Sequence, residues 1–461
     1  MPHPYIPNDT DEIRAKLQES ICIRNVDELF SDIPEQIRLK KPLALPEPMS
    51  ELEVRHEVEK ILEGNRTTKE FASFLGAGSW AHHVPPLVDA VASRSEFLTS
   101  YTPYQPEISQ GILQALFEYQ SLICELLDME VANCSMYGWA SALGEAARMA
   151  ARVTQRYEVL VPHYVAQEKL SVLRTYATSA GIRLYEVPQD TETGQIDLEA
   201  LNERVSNSTA AVYVENPSYL GFLIESVKDI VEIAHGSGAL FIAGIDPTSL
   251  GIFRPPGEDG ADIAIGEGQP LGNYMNNGGP LLGIFACRDD PSLVRQMPGR
   301  IVGMTTAANG KERAFCMALQ TREQHIRRQK ATSNICTNQA LCALRAAVYM
   351  TLLGRKGLRE LGEAILAKAY YAIARLSRIK SVQTPMFRGY HFKEFTVNFD
   401  RASKSVREVN QRLLQSGILG GRSLSSEFPE LSQTSLYCIT ELTTREDIDR
   451  LGTRLEEILE G

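Results

Sequence analysis

The spacing of apolar positions changes along the chain, and each change marks a part of it. Residues 11–22 carry apolar side chains at helical spacing, 25–29 form a second short helical stretch, and 42–48 read as an extended linker. Ser50 opens a better-signalled helix: Glu53, three residues on, completes a capping box, and Leu52, Val54, Val58 and Leu62 supply the apolar positions. Together these elements make an N-terminal helical arm over residues 1–65. Such an arm either clasps a neighbouring subunit or lies on its own core, and the pattern alone leaves both open. From about Glu158 the period shortens. Residues 159–162, 184–187, 211–214, 240–245 and 263–265 are short apolar or β-branched runs, the first four separated by helix-like stretches. Strands of a parallel sheet, buried on both faces, read this way. A returning run at 281–287 adds one more strand, so residues 66–331 are expected to form a large α/β domain around a mostly parallel sheet.

Beyond Thr332 the helical period returns at 338–353 and 358–376, followed by a strand-rich region at 387–399. A helix at 406–414, a strand at 435–439 and a helix at 444–459 close a smaller α+β domain, residues 332–461. No internal repeat and no low-complexity tract interrupts this order.

Composition narrows the function classes. With 58 acidic against 47 basic side chains in 461 residues, the formal net charge is -11, which offers no basic footprint for nucleic acid or an anionic membrane. No apolar run reaches the roughly 18 to 20 residues needed to span a bilayer, and the N-terminus has no charged segment followed by an apolar one. The expected location is cytoplasmic. The eight cysteines are scattered without the close pairs of zinc or redox motifs, and the adjacent His82 and His83 cannot share a helix face, so no metal site is expected.

In open parallel sheets, ligands bind beyond the carboxyl ends of the strands. His163 and Asp246 stand there. An aspartate so placed can hold a protonated pyridine nitrogen, and a histidine can stack on the ring; each also reads as an ordinary loop or turn residue. Ser135, Gly138 and Ser141, just ahead of a helix at 142–152, suit a phosphate cup at a helix N-terminus, although Trp139 among them suggests a cup that is filled or remodelled. The glycine-rich segment 260–283 follows an apolar strand where an enzyme of this shape would present a Schiff-base lysine. Gln269 stands there instead, and no lysine occurs between Lys228 and Lys311. Its glycine spacing is not the dinucleotide fingerprint. The loop 100–111, SYTPYQPEISQG, places Tyr101, Tyr104, Gln105 and Glu107 on a proline-stiffened backbone suited to orienting a ligand.

The segments FLGAGSW from Phe74, SRSEFLTSYTPYQPEISQG from Ser93, GEGQPLGN from Gly266 and TREQHIRRQKATSNICTNQAL from Thr321, with MPHPYIPN at the start, closely resemble the P-protein of the glycine cleavage system in its two-subunit form. The resemblance is to the N-terminal partner, subunit 1, and runs over essentially the whole chain. It implies the type I pyridoxal phosphate transferase fold, related to that of aspartate aminotransferase. It also implies a decarboxylase of glycine that passes the remaining aminomethyl group to the lipoyl arm of H-protein. It further implies that only the C-terminal partner, subunit 2, carries the cofactor covalently, within an assembly of two copies of each subunit (α2β2). Under this reading Gln269 marks a catalytically silent pocket, to which Ser135, Gly138, Ser141, His163 and Asp246 belong. Tyr101 and Tyr104, with Gln105 and Glu107 beside them, then serve the partner's glycine pocket, and Thr332, Ser333 and Asn334 lie near the partner's cofactor phosphate. The rival reading is a scaffold or regulatory pseudoenzyme of the same fold.

Overall fold

Alternating apolar strands and amphipathic helices build one large sheet and a smaller C-terminal layer. A computed structural model describes residues 5–6, 8–41, 43–68, 70–98, 103–333, 335 and 338–460; Tyr101 and Asn334 lie outside the described residues. The chain divides into two compact units, Met1–Arg66 and Thr67–Gly461.

In the first unit, helices Asp11–Ser20 and Glu51–Leu62 flank a 3-10 turn at Val26–Phe30. The capping box of the second helix is present: the Glu53 N–H donates to Ser50 Oγ at 3.4 Å, and the Ser50 N–H donates to the Glu53 carboxylate at 2.7 Å. None of the three elements buries a residue, and Leu17, Leu29, Phe30, Leu52, Val54, Val58 and Ile61 are exposed.

The second unit is organised by a seven-stranded sheet. In chain order its strands are β1 (Val131–Ala132), β2 (Glu158–Pro162), β3 (Arg183–Val187), β4 (Thr209–Glu215), β5 (Leu240–Ile245), β6 (Ile263–Glu267) and β7 (Gly283–Cys287), and in space they run β1-β7-β6-β5-β4-β2-β3. The pairs from β6 to β3 are parallel; β7 runs antiparallel to β6, and β1 antiparallel to β7. Every residue of β2, β4, β6 and β7 is buried, as coverage of both faces by helices demands. Between β6 and β7 the loop turns at Gly272, whose φ of +78 and close approach to the Tyr349 side chain (2.8 Å from an added Cβ) leave no room for another residue.

A hairpin, β8 (Ile301–Thr306) with β9 (Arg313–Ala318), follows the sheet. It escapes the hydrophobic pattern because polar Thr305, Thr306, Lys311 and Glu312 dominate its exposed end. The two helical stretches expected at 338–353 and 358–376 are the halves of one element, Ala340–Leu376, broken where Gly354 adopts φ 58, ψ -173. The C-terminal layer pairs β10 (Glu394–Asn398) and β11 (Arg422–Ser423) antiparallel to β12 (Thr434–Cys438), under helices Val406–Gln415 and Arg445–Glu460. An early segment joins this layer: Ala72 pairs with Ile418, and the Cys438 N–H donates to Phe74 O at 2.9 Å. The beginning and the end of this unit are thereby tied together.

Candidate functional site

The carboxyl ends of β4, β5 and β6 converge on the start of helix Trp139–Thr154, where a cofactor is expected from the sequence pattern, and the chain's own side chains pack the space between them. At the helix N-terminus the free backbone donors face a carboxyl group. Glu267 accepts from the N–H groups of Trp139 (3.2 Å), Gln269 (3.0 Å) and Leu282 (2.8 Å). Burial pushes this carboxyl up to about 7 against the pull of those three donors. The Ser141 hydroxyl accepts from the Gly138 N–H at 3.2 Å and donates back to Gly138 O at 2.9 Å. Two of the N–H groups and the hydroxyl that a phosphate would use at this helix start are therefore engaged. Ser135 is wholly buried close by in sequence, its Oγ without a hydrogen-bond partner among the described atoms.

Trp139 is buried at this helix start. Its indole N–H donates to the Tyr213 hydroxyl at 3.0 Å, and Lys169 Nζ lies 3.4 Å from the ring centroid, a cation–π contact in a dry setting. Lys169 in turn binds Glu215 at 2.8 Å, which also accepts from the Tyr213 hydroxyl at 2.8 Å. Asp246, expected to face a pyridine nitrogen, is occupied by an internal cation: Lys393 Nζ is 2.6 Å away, and both side chains are buried. The same ammonium donates to His82 Nε2 at 3.0 Å and lies 4.3 Å from the Trp80 ring centroid. His82 donates from Nδ1 to Glu441 at 2.7 Å. Burial above all, and then Lys393, lowers the His82 pKa, which fits a neutral ring accepting at one nitrogen and donating at the other. Burial works to raise Glu441, but the hydrogen bonds from His82 and the His83 N–H prevail and hold it below the usual carboxylate range.

Gln269 is fully buried. Its amide oxygen accepts from the Trp80 N–H at 3.1 Å, and its amide nitrogen donates to Asn273 O at 2.8 Å. What space remains, about 20 Å³ between Trp80, Trp139, Lys169, Asp246 and Lys393, holds about one water molecule and no pyridine ring. The residues present do not fit pyridoxal phosphate.

The other expected site residues separate into distinct places. His163, expected to stack on a cofactor ring, is a correction: it turns outward to Glu186 (2.5 Å) and Glu430 (2.6 Å), and the attraction of these carboxylates outweighs burial and raises its pKa. Tyr104 is half-buried. Its hydroxyl accepts from Arg300 at 2.7 Å and lies 3.5 Å from Glu323, while Gln105 and Glu107 are exposed around the adjoining 3-10 turn. The Thr332 N–H donates to Arg322 O at 3.2 Å, and the Ser333 hydroxyl donates to Glu145 at 2.8 Å. Tyr104 thus neighbours the segment that leads to Thr332, away from Asp246 and Gln269. Glu267, Lys169 and Lys393 were not expected. Glu267 sits inside the GEGQ motif and could have been found there; Lys393 enters from a distant strand and has no local signal. Among the described residues no group of three potential metal ligands occurs, and no helix is long and apolar enough to cross a membrane.

The chain matches the profile described as Glycine cleavage system P-protein over residues 3–455. It is 52% identical to the probable glycine dehydrogenase (decarboxylating) subunit 1 of Staphylothermus marinus over 99% of this chain and 98% of that protein. It is 49% identical to the protein of the same name from Pyrococcus horikoshii over the full length of both. Among solved structures, glycine decarboxylase (P-protein) of the glycine cleavage system, in inhibitor-bound form, superposes with a TM-score of 0.87 at 40% identity, covering 99% of this chain and all of that one.

Proposed function

The chain belongs to the P-protein family of the glycine cleavage system, as a subunit 1 of glycine dehydrogenase (decarboxylating), and from this we propose that it is the cofactor-free half of a two-subunit enzyme. Its fold is the type I pyridoxal phosphate transferase fold. The observation that carries the proposal is the closed pocket: Glu267 on the helix start, Trp139 buried there, Lys393 on Asp246 and Gln269 at the lysine position. No step of the reaction passes through this chain's own pocket. The reactive cofactor is carried by subunit 2 in an α2β2 assembly, where it supplies the electron sink for decarboxylation of glycine, and the aminomethyl group passes to lipoylated H-protein.

In this reading the present chain shapes the partner's pocket and keeps water from it. Tyr101 and Tyr104 line the glycine side, with Gln105 and Glu107 at its rim, and Thr332, Ser333 and Asn334 approach the partner's cofactor phosphate. Arg300 supports the proposed role of Tyr104, because its guanidinium both donates to the hydroxyl and stacks 4.6 Å from the ring centroid, fixing the side chain before substrate arrives.

The test is glycine-dependent carbon dioxide exchange with each component omitted in turn. Turnover is expected only with both subunits present, and the isolated chain treated with pyridoxal phosphate and borohydride is expected to yield no trapped adduct. Decarboxylation by the isolated chain would overturn the proposal. Within the intact assembly, Tyr104→Phe is expected to lower kcat/KM for glycine, whereas unchanged turnover would favour a purely scaffolding role.

A further inference from the structure

A second cavity, of about 490 Å³, lies where the C-terminal end of helix Trp139–Thr154 meets the segments around Arg295 and Thr321 to Thr332. Its charged lining is entirely cationic: Arg152, Arg295, Arg322, Arg327 and Lys330. The remaining walls are Gln296, Leu319, Ala331 and the hydroxyl-bearing Thr321 and Thr332. In a chain with a net charge of -11 such a concentration runs against the average. Among the described residues, none of the five has a carboxylate within ion-pair distance.

The two inner guanidinium groups make the case. Arg322 is only 7% exposed, and its donors go to the carbonyls of Leu319 (3.2 Å), Gly299 (3.2 Å) and Met297, none of which carries a charge. Arg152 donates to the side-chain and backbone oxygens of Gln296 at 3.0 and 3.1 Å. Burial, with the nearby charge of Arg148 adding to it, lowers the Arg152 pKa to about 10 even though Glu145 pulls the other way. The carboxyl groups whose charge reaches these guanidiniums, Glu145 for Arg152 and Glu323 for Arg322, form no ion pair with them and bind elsewhere: Glu145 accepts from Ser333, and Glu323 faces Arg300 and Tyr104. Cations withdrawn from water without a counter-charge are costly to keep. Guanidinium forks, an ammonium and two threonine hydroxyls around one cavity are the donor set that recognises a compact dianion.

We propose that this cleft is an anion site for a phosphate group, held by Arg152, Arg322, Arg327 and Lys330. It deepens the function proposed above, and rests on it where the phosphate is the partner's, since Thr332 lines this cleft and is one of the residues proposed to approach the partner's cofactor phosphate. The phosphate could come from a free phosphorylated metabolite or from the cofactor carried by the partner subunit.

The probe is inorganic phosphate titrated into the full chain at constant ionic strength and followed by calorimetry, then into the two-subunit enzyme with and without pyridoxal phosphate. Saturable binding at one site per chain is expected in the isolated chain or in the cofactor-free enzyme. Arg327→Gln and Lys330→Gln, both at exposed positions, are each expected to weaken it roughly tenfold. Lys311→Gln on the neighbouring hairpin is expected to leave it unchanged. If phosphate binds the loaded and unloaded enzyme alike, the source is a free metabolite. If it binds only the unloaded enzyme, and Lys330→Gln weakens cofactor retention, the source is the partner's cofactor. Absence of saturable binding in all three preparations, or binding indifferent to Arg327→Gln and Lys330→Gln, would overturn the site. Because the isolated chain suffices for the first arm, failure of the two-subunit reading would leave that result standing.

Discussion

Asp246 and Lys393 form the tightest test of how single residues hold this protein closed. Both are buried and 2.6 Å apart, so removing one leaves the other charge stranded in a low dielectric. Lys393→Met is expected to destabilise the chain by about 3 to 5 kcal/mol. The double variant Lys393→Met with Asp246→Asn is expected to regain most of that loss, measured as the urea midpoint of each. Equal loss in single and double variants would show that Lys393 acts through packing on Trp80. The neighbouring Glu441 makes a prediction in pH. Its folded pKa, held down to about 2, lies below the unfolded value, so its contribution is full above about pH 4.5 and is lost progressively as pH falls from there through about 2. Glu441→Gln is expected to be less stable than the parent by about 1 to 3 kcal/mol at pH 6, with the difference shrinking below about pH 4.5 and closing towards pH 2. A constant difference across that range would refute the assignment. At this scale the sequence was partly legible. Gln269 and Trp139 stood out because each is the wrong chemistry for a cofactor site. Glu267, Lys169 and Lys393 did not, because a residue that neutralises a distant partner is visible only once the chain is folded.

The helix Glu51–Leu62 shows what an element can and cannot reveal. Its start is written locally, in the reciprocal bonds of Ser50 and Glu53, and it forms where those residues require. Its partner is not written locally. Val54, Val58 and Ile61 make an i, i+4, i+7 stripe that remains exposed in the single chain. If the arm packs on subunit 2, Val58→Glu with Ile61→Glu is expected to leave the circular dichroism of the isolated chain unchanged and to abolish co-purification with that subunit. Undiminished co-purification would remove the arm from the interface. The large sheet was legible because its strands are apolar throughout, a signature of burial on both faces. The hairpin of β8 and β9 was not, because its two short runs end in the polar turn around Thr306 to Glu312 and its pairing is fixed by a neighbour strand rather than by the run itself.

Across the whole molecule, the cofactor pocket is complete without a cofactor, and this sets how the chain responds to one. With the cationic cleft disabled by Arg327→Gln and Lys330→Gln, thermal unfolding of the isolated chain is expected to be insensitive to pyridoxal phosphate at concentrations that stabilise the two-subunit enzyme, because a ligand raises stability only where the folded state binds it. A matching rise in the isolated chain's Tm, persisting in Lys330→Gln and Arg327→Gln, would mean that the closed pocket opens. The carboxyl of Glu267 under the first turn of helix Trp139–Thr154 has a wider consequence. If the cofactor belongs to subunit 2 alone, as proposed above, a polypeptide that brings its own carboxyl group to the place where a sister protein waits for a vitamin-derived phosphate can mature during nutritional scarcity. On that reading, this half accumulates in finished form in vitamin-starved cells, ready to dock, while the supply of coenzyme limits only its sister.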